Sequence, residues 1–169
     1  MRRDESEGRS SHVQILVSPP RFSDWTGLLA LLHSAYAFMA SRIDPPSSLL
    51  RMDVEQLRQK AREEVLIIAL DDQRLVGCAF ARLREDCLYV GKVAVDESVR
   101  GRGMARKLMQ AAETLARESA RPFLELETRI ELIENHEVFA ALGFYKVAES
   151  SHPGFDRPTS ITMRKAVLA

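Results

Sequence analysis

Only two cysteines, Cys78 and Cys87, occur in 169 residues, too few for a disulfide framework. Each lies in or beside an apolar run. No His or second Cys stands near either one at a metal-ligand spacing. Both therefore read as buried thiols of a reducing compartment, and no metal site is expected. An excess of one charge sign is also missing: 24 basic residues balance 24 acidic ones, and neither half of the chain is strongly basic. Nucleic-acid binding rests on clustered Lys and Arg, so no nucleic-acid partner is expected. Long apolar runs are absent too. The longest, Gly27 to Ala40, is too short to cross a bilayer and contains His33 and Ser34, so no membrane partner is expected. Met1 to His12 lacks the apolar centre of a signal peptide, and Asp4, Glu5 and Glu7 argue against a transit peptide. That segment reads as a disordered polar tail before a single domain over 13–169, in a cytoplasmic protein.

What is present is ordinary globular material, 46% hydrophobic and 28% charged, long enough to bury a real core. Val13 to Val17 reads as a strand ended by Pro19-Pro20. Ser23 is a plausible N-cap for a helix through Leu28, Leu32, Tyr36 and Met39, which Asp44-Pro45-Pro46 breaks. A second helix starts near Asp53, with Leu57 and Ala61 on its buried stripe. Three strands follow, Val65–Leu70, Leu75–Leu83 and Leu88–Val95, joined by polar turns as hairpins. A long amphipathic helix carries Leu108, Met109, Ala112, Leu115 and Ala116 at helical spacing. Then come a strand Phe123–Glu127, a short helix closed by Gly143, and two last strands, Tyr145–Glu149 and Ser160–Met163. The hairpins imply a mainly antiparallel sheet, and the long helix between Val95 and Phe123 implies one parallel crossover. The fold class expected is α+β: a mixed, mainly antiparallel central sheet with helices on both faces.

The segment richest in chemistry runs from Tyr89 to Arg106. An apolar strand leads through a polar turn into a glycine loop that opens the long helix. Such a loop offers unobstructed backbone amides, and the helix behind it adds unpaired N–H groups and the positive end of its dipole, an arrangement suited to phosphates. No Walker string Gly-x-x-x-x-Gly-Lys-Ser/Thr occurs. A dinucleotide fingerprint fails at its third glycine, because Arg106 stands there. A third pattern, Arg/Gln-x-x-Gly-x-Gly/Ala, is satisfied by Arg100-Gly-Arg-Gly103-Met-Ala105.

That pattern resembles the pyrophosphate loop of the GNAT superfamily of acetyl-coenzyme A-dependent N-acetyltransferases. The strand ending Lys92-Val-Ala-Val95 resembles the family's central strand. Leu124-Glu-Leu-Glu-Thr128, Asn135 and Leu142-Gly-Phe144 resemble its second conserved block. The resemblance implies a GNAT-like acyl-CoA N-acyltransferase fold, with acetyl-CoA as the acyl donor and no metal. It implies that Val93, Ala94 and Val95 offer backbone groups to the pantetheine arm, and that Arg100, Gly101, Arg102, Gly103, Met104, Ala105 and Arg106 wrap the pyrophosphate. Asn135 and Phe139 would also touch the cofactor. The implied reaction is direct attack of an amine on the thioester in a ternary complex, without a covalent enzyme intermediate. An alternative is a coenzyme A-binding sensor without turnover, because Phe139 falls where the family often has a tyrosine acid, and phenylalanine has no proton to give. Tyr145, Tyr89 or a water is then left to replace the acid, and Glu127 is a candidate base, with His136 and His152 as further candidates. The acceptor is a small-molecule or protein amine that the sequence does not identify, and the chain is expected to be a monomer or homodimer.

Overall fold

The structure, a computed structural model, describes residues 12–167. The expected tail therefore lies, except for His12, outside the described residues. His12 itself extends the first ladder, its carbonyl accepting the Asp72 N–H at 3.1 Å. Seven strands form one sheet: β1 (Val13–Val17), β2 (Val65–Asp71), β3 (Arg74–Leu83), β4 (Cys87–Val95), β5 (Phe123–Arg129), β6 (Tyr145–Ser150) and β7 (Ser160–Ala166). Their order is β1-β2-β3-β4-β5-β7-β6. Every neighbouring pair is antiparallel except β4 and β5, as the crossover argument requires. The chain order of strands and helices is also the expected one, with two single-turn 3₁₀ segments added, Ser48–Arg51 and Glu97–Val99.

Four helices flank the sheet: α1 (Trp25–Ala37), α2 (Val54–Glu63), α3 (Met104–Glu118) and α4 (Ile133–Ala141). The first is capped by Asp24, not by Ser23: the Asp24 carboxylate accepts the Gly27 N–H at 3.0 Å. Both residues are competent caps, and only backbone geometry decides which stands one turn from a free N–H. The second carries a full capping box, Asp53 with Gln56. Leu28, Leu32, Leu49 and Leu57 cover one face of the sheet over Leu66, Ile68, Cys78 and Phe80. Met104, Leu108, Met109, Ala112 and Ala116 of α3 cover the other, over Ile67, Ala69, Val76, Ala81, Leu88 and Val90.

One irregularity decides the shape of the middle of the sheet. Phe80 pairs with Gly91 and Cys78 with Ala94, so Ala79 alone opposes Lys92 and Val93, a β-bulge. Lys92 adopts φ +52° there. The extra residue reverses the pleat. Leu88 and Val90 face α3, but beyond the bulge Ala94 packs with the α1 and α2 side, and Val93 and Val95 pack on the α3 side.

The paired end of β4 and β5 is pinned by charge. Glu125 is buried, and its carboxylate accepts from Arg164 at 2.7 Å and Arg84 at 3.1 Å. Arg164 also donates to both oxygens of Asp86, at 3.0 and 3.2 Å. Removing one member of a buried charged set leaves its partners uncompensated. Glu125→Ala is expected to lower unfolding free energy by about 2–3 kcal/mol, the scale of hydrogen bonds to charged groups. Arg164 keeps Asp86 in the variant, and Arg84 is already exposed. Urea unfolding checks this, and a change below about 0.5 kcal/mol would remove the network from the stabilising set.

Candidate active site

The parallel ladder between β4 and β5 is short. Cys87, Leu88 and Tyr89 pair with Phe123, Leu124 and Glu125, and there it stops. Beyond Tyr89 the strands part, β4 staying with β3 and β5 with β7. A cavity of about 620 Å³ opens at the parting. Val90 to Val93 line it from one strand and Leu126 to Arg129 from the other. Tyr36, Met39, the Pro45–Ser48 segment, Asn135, Phe139, His152 and Phe155 close its rim. A strand edge freed from its neighbour leaves backbone donors and acceptors without ladder partners, which a ligand with amide groups can satisfy.

The bulge carbonyls are held from behind. The Cys78 thiol donates to the Lys92 carbonyl at 3.5 Å, and the Tyr36 hydroxyl donates to the Val93 carbonyl at 3.4 Å. Burial pushes the Cys78 thiol up to about 12, opposed in part by a hydrogen bond from the Ala94 backbone. Burial likewise raises Tyr36, with Cys78 and Tyr89 adding to the shift. Tyr89, in the cavity wall, is pushed up to about 12 by burial first and then by the Glu127 carboxylate. At neutral pH all three stay protonated and remain donors.

At the far end of β4 lies the glycine loop. Gly101 (φ +78°) and Gly103 (φ +72°) occupy the left-handed region, where a Cβ costs roughly 1–2 kcal/mol. No atom lies within 4 Å of where a Cβ at either would stand. Gly103 is the N-cap of α3 and supplies no side-chain cap, and the first turn-closing bond is from Lys107 N–H to the Gly103 carbonyl. The N–H groups ahead of Lys107 are therefore the orphan donors of a helix start, facing open space. Arg100, Arg102 and Arg106 are exposed around them, with the Arg100 guanidinium 5.8 Å from the Phe38 ring. Among the described residues none of these three has a carboxylate within ion-pair distance. An open, positively biased cradle of this kind fits a pyrophosphate.

The sequence-derived site residues therefore fall into four groups. Tyr89, Val93, Glu127, Asn135 and Phe139 come together in the cavity wall. Arg100 to Arg106 form the separate cradle, and Ala94 and Val95 lie on β4 between the two without lining the cavity. Tyr145 is half-exposed on the edge strand β6, opposite Arg164 and outside the cavity lining. Side chains alternate along a strand, and only the register shows which neighbour, if any, covers them. His152 reaches the rim with its Nδ1 on Thr159 at 2.5 Å, whereas His136 bonds the Arg129 carbonyl and does not line the cavity.

The cavity is lined by four cations to which the sequence assigns no functional role: Arg51, Lys60, Lys92 and Arg129. They come from four segments and show no spacing that links them. Two polar atoms of β5 at the cavity, Thr128 Oγ1 and Arg129 Nη1, are buried with no hydrogen-bond partner among the described residues. No group of His, Cys, Asp or Glu among the described residues is placed to hold a metal ion, and no described helix is long and apolar enough to cross a membrane.

A family model for the acetyltransferase (GNAT) family matches residues 27–144, which spans α1 to the end of the α4 turn and takes in both the cradle and the splayed strands. The chain belongs to this family. Among solved structures it is similar to PaiA N-acetyltransferase from Thermoplasma acidophilum, determined in complex with coenzyme A. The two are 12% identical with a TM-score of 0.74, over 92% of this chain and 99% of that one. It is similar in fold to a GNAT-family acetyltransferase from Staphylococcus aureus as well, 15% identical with a TM-score of 0.72, over 93% and 100% of the two chains. In sequence it is 38% identical over 96 residues to the [citrate [pro-3S]-lyase] ligase of Klebsiella pneumoniae. That match covers 56% of this chain, which spans about a quarter, 26%, of the length of that curated relative.

The buried donors have a consequence for stability in alkali. In an unfolded chain a thiol titrates near ~8.5 and phenols near ~10. The folded chain holds these protons to higher pH, so it binds more protons than the unfolded chain in that window, and its stability falls as pH rises. Their stabilising contribution is complete below about pH 8.5 and is lost from there through pH 12. The urea midpoint is expected to be level from pH 7 to 8.5 and to decline above. Cys78→Ala is expected to flatten the lower part of the decline and Tyr89→Phe the upper part. Unaltered slopes in both variants would refute this account.

Proposed function

We propose that this chain transfers an acetyl group from acetyl-CoA to an amine by direct attack in a ternary complex. The observation that carries this is the parting of β4 and β5 after Tyr89 and Glu125, which opens a cavity beside an unladdered strand edge that leads to an anion cradle. Arg100 to Arg106 hold the pyrophosphate. Backbone groups of Val93 to Val95 orient the pantetheine arm, and Asn135 and Phe139 border it from α4. Bound there, acetyl-CoA supplies an activated acyl group.

The cavity brings donor and acceptor side by side, and holding two reactants in attack geometry recovers roughly 7–11 kcal/mol of a bimolecular barrier. An amine like that of lysine, with a pKa near ~10.4, must lose a proton before it attacks. Glu127 is the carboxylate of the parted strands and is assigned that role, directly or through one water. Tyr89 is not the acid. Its phenol is pushed up to about 12. Giving its proton to a thiolate whose thiol pKa lies near ~8.5 would then be uphill. A thiolate of that basicity leaves without an acid, which is consistent with Phe139 where a proton donor would otherwise stand. Tyr89 instead stays protonated in the cavity wall.

The second reading, a coenzyme A-binding domain without turnover, rests on Phe139 alone, and the same assay separates the two. Release of free thiol from acetyl-CoA in the presence of an amine panel, with longer acyl donors run alongside, is expected only from a transferase. Binding without release from any amine would favour the second reading.

Two variant sets follow from these assignments. Gly103→Glu is expected to weaken coenzyme A binding at least 100-fold by calorimetry, because its carboxylate enters the cradle. Gly103→Ala is expected to cost about 1 kcal/mol of stability and to keep most of the affinity, since its Cβ meets no atom. Equal affinities for native protein and Gly103→Glu would detach the loop from the site. Glu127→Gln is expected to lower kcat/KM by about 10²–10⁴. Tyr89→Phe is expected to lower it less than tenfold, and Phe139→Tyr to raise it only modestly. A Tyr89→Phe loss as large as that of Glu127→Gln, at constant coenzyme affinity, would show that the phenol is the acid after all.

A further inference from the structure

The cavity wall is unevenly charged. Arg51, Lys60, Lys92 and Arg129 line it against only two carboxylates, Glu64 and Glu127. Lys60 is committed to Glu64 at 2.5 Å. Among the described residues Arg51, Lys92 and Arg129 have no carboxylate within ion-pair distance. Arg129 donates to the Pro46 carbonyl at 3.4 Å, and among the described residues its Nη1 is buried with no hydrogen-bond partner; Glu131 and Asp44 act on it only from beyond ion-pair distance. A buried guanidinium nitrogen without an acceptor is costly, and a ligand acceptor relieves that cost. The coenzyme's phosphates do not fill the role under the reading above, because no residue of the Arg100–Arg106 cradle lines this cavity.

The geometry points to an acceptor that carries an anionic group, a carboxylate or a phosphate, beside its amine, with Arg129 and Lys92 as the residues that select it. Side-chain alternation puts Glu127 and Arg129 on one face of β5, about 7 Å apart along the strand. A base for an ammonium group and a cation for an anion therefore stand side by side, the arrangement a dipolar acceptor needs. Lys92 faces them from the bulge of β4. Burial first, then the neighbouring cations Lys60 and Arg129, holds its ammonium below the ordinary lysine value, opposed by Glu64. Lys92 and Arg129 are thus electrostatically coupled, and an anion between them would relieve both. Polyamines and other purely cationic acceptors would meet repulsion here.

This inference rests on the transferase reading for its chemistry but is tested by binding, which does not need turnover. The probes are matched pairs: glycine, methionine and glutamate, each beside its α-carboxamide, and O-phosphoethanolamine beside ethanolamine, with spermidine as the cationic control. Each is titrated calorimetrically into the full chain with and without coenzyme A, and each is run in the thiol-release assay. The anionic member of at least one pair is expected to bind at least tenfold tighter than its neutral partner. The carboxylate and phosphate arms distinguish the two sources of charge. Arg129→Gln is expected to narrow that ratio below threefold with coenzyme affinity unchanged, whereas Arg129→Lys retains most of it. Arg51→Gln, at an exposed position, is expected to narrow it in part without perturbing the core. Three outcomes would overturn the proposal: no binding by any anionic probe, preference for the neutral or cationic probes, or a fall in coenzyme affinity in Arg129→Gln of tenfold or more. Selective binding of an anionic amine with no thiol release would sink the transferase reading and leave the charge selection standing.

Discussion

Pairing between β4 and β5 lasts three residues, and almost everything functional in this molecule depends on its stopping there. A parallel ladder continued to the end of β4 would bring Arg129 against Val93 and close the sheet. Instead the bulge at Lys92 adds one residue to β4, bends it toward β3 and turns its remaining side chains to the opposite face. Cys78 and Tyr36, reaching in from β3 and α1, donate to the two bulge carbonyls that the shifted ladder leaves. The open edge is thus held in shape by the layer that packs on it.

Opposing demands are met at the two ends of β4. The closed end needs cohesion, and there Glu125 is buried between Arg164 and Arg84 with Asp86 completing the set. The open end needs unsatisfied groups. Among the described residues it keeps Arg129 Nη1 and Thr128 Oγ1 buried without hydrogen-bond partners, and it crowds four cations round two carboxylates. Unpaired buried polar atoms cost stability, so they concentrate where a ligand compensates them. The same principle explains the glycine loop, where two residues in the left-handed region and a helix start without a side-chain cap are retained beside open space.

Distance along the fold separates the tasks. The proposed cradle offers backbone amides and exposed arginines that are neighbours in the chain. The cavity combines residues from α1, α2, the Pro45–Ser48 turn, β4, β5, α4 and the His152 loop, so its shape and charge are set by how those elements pack.

What the sequence determined by itself is what local physics determines. Apolar alternation, proline breaks and helical spacing give the order of the seven strands and four helices among the described residues, and the run from Arg100 to Ala105 gives the loop proposed as an anion cradle, because its amides and glycines are neighbours in the chain. Short range also limits that reading. Ser23 and Asp24 are both competent caps, and Tyr89 and Tyr145 are both tyrosines in strands, so nothing local ranks them. Packing ranked them: Asp24 meets the Gly27 amide, Tyr89 enters the cavity, and Tyr145 faces outward from the sheet edge. The bulge is invisible to a pattern of period two, because it is a mismatch between two strands and not a property of either one. The basic character of the cavity is likewise absent from a chain with no net charge. Arg51, Lys60, Lys92 and Arg129 are scattered in sequence, and only the tertiary fold converts four isolated cations into one electrostatic environment.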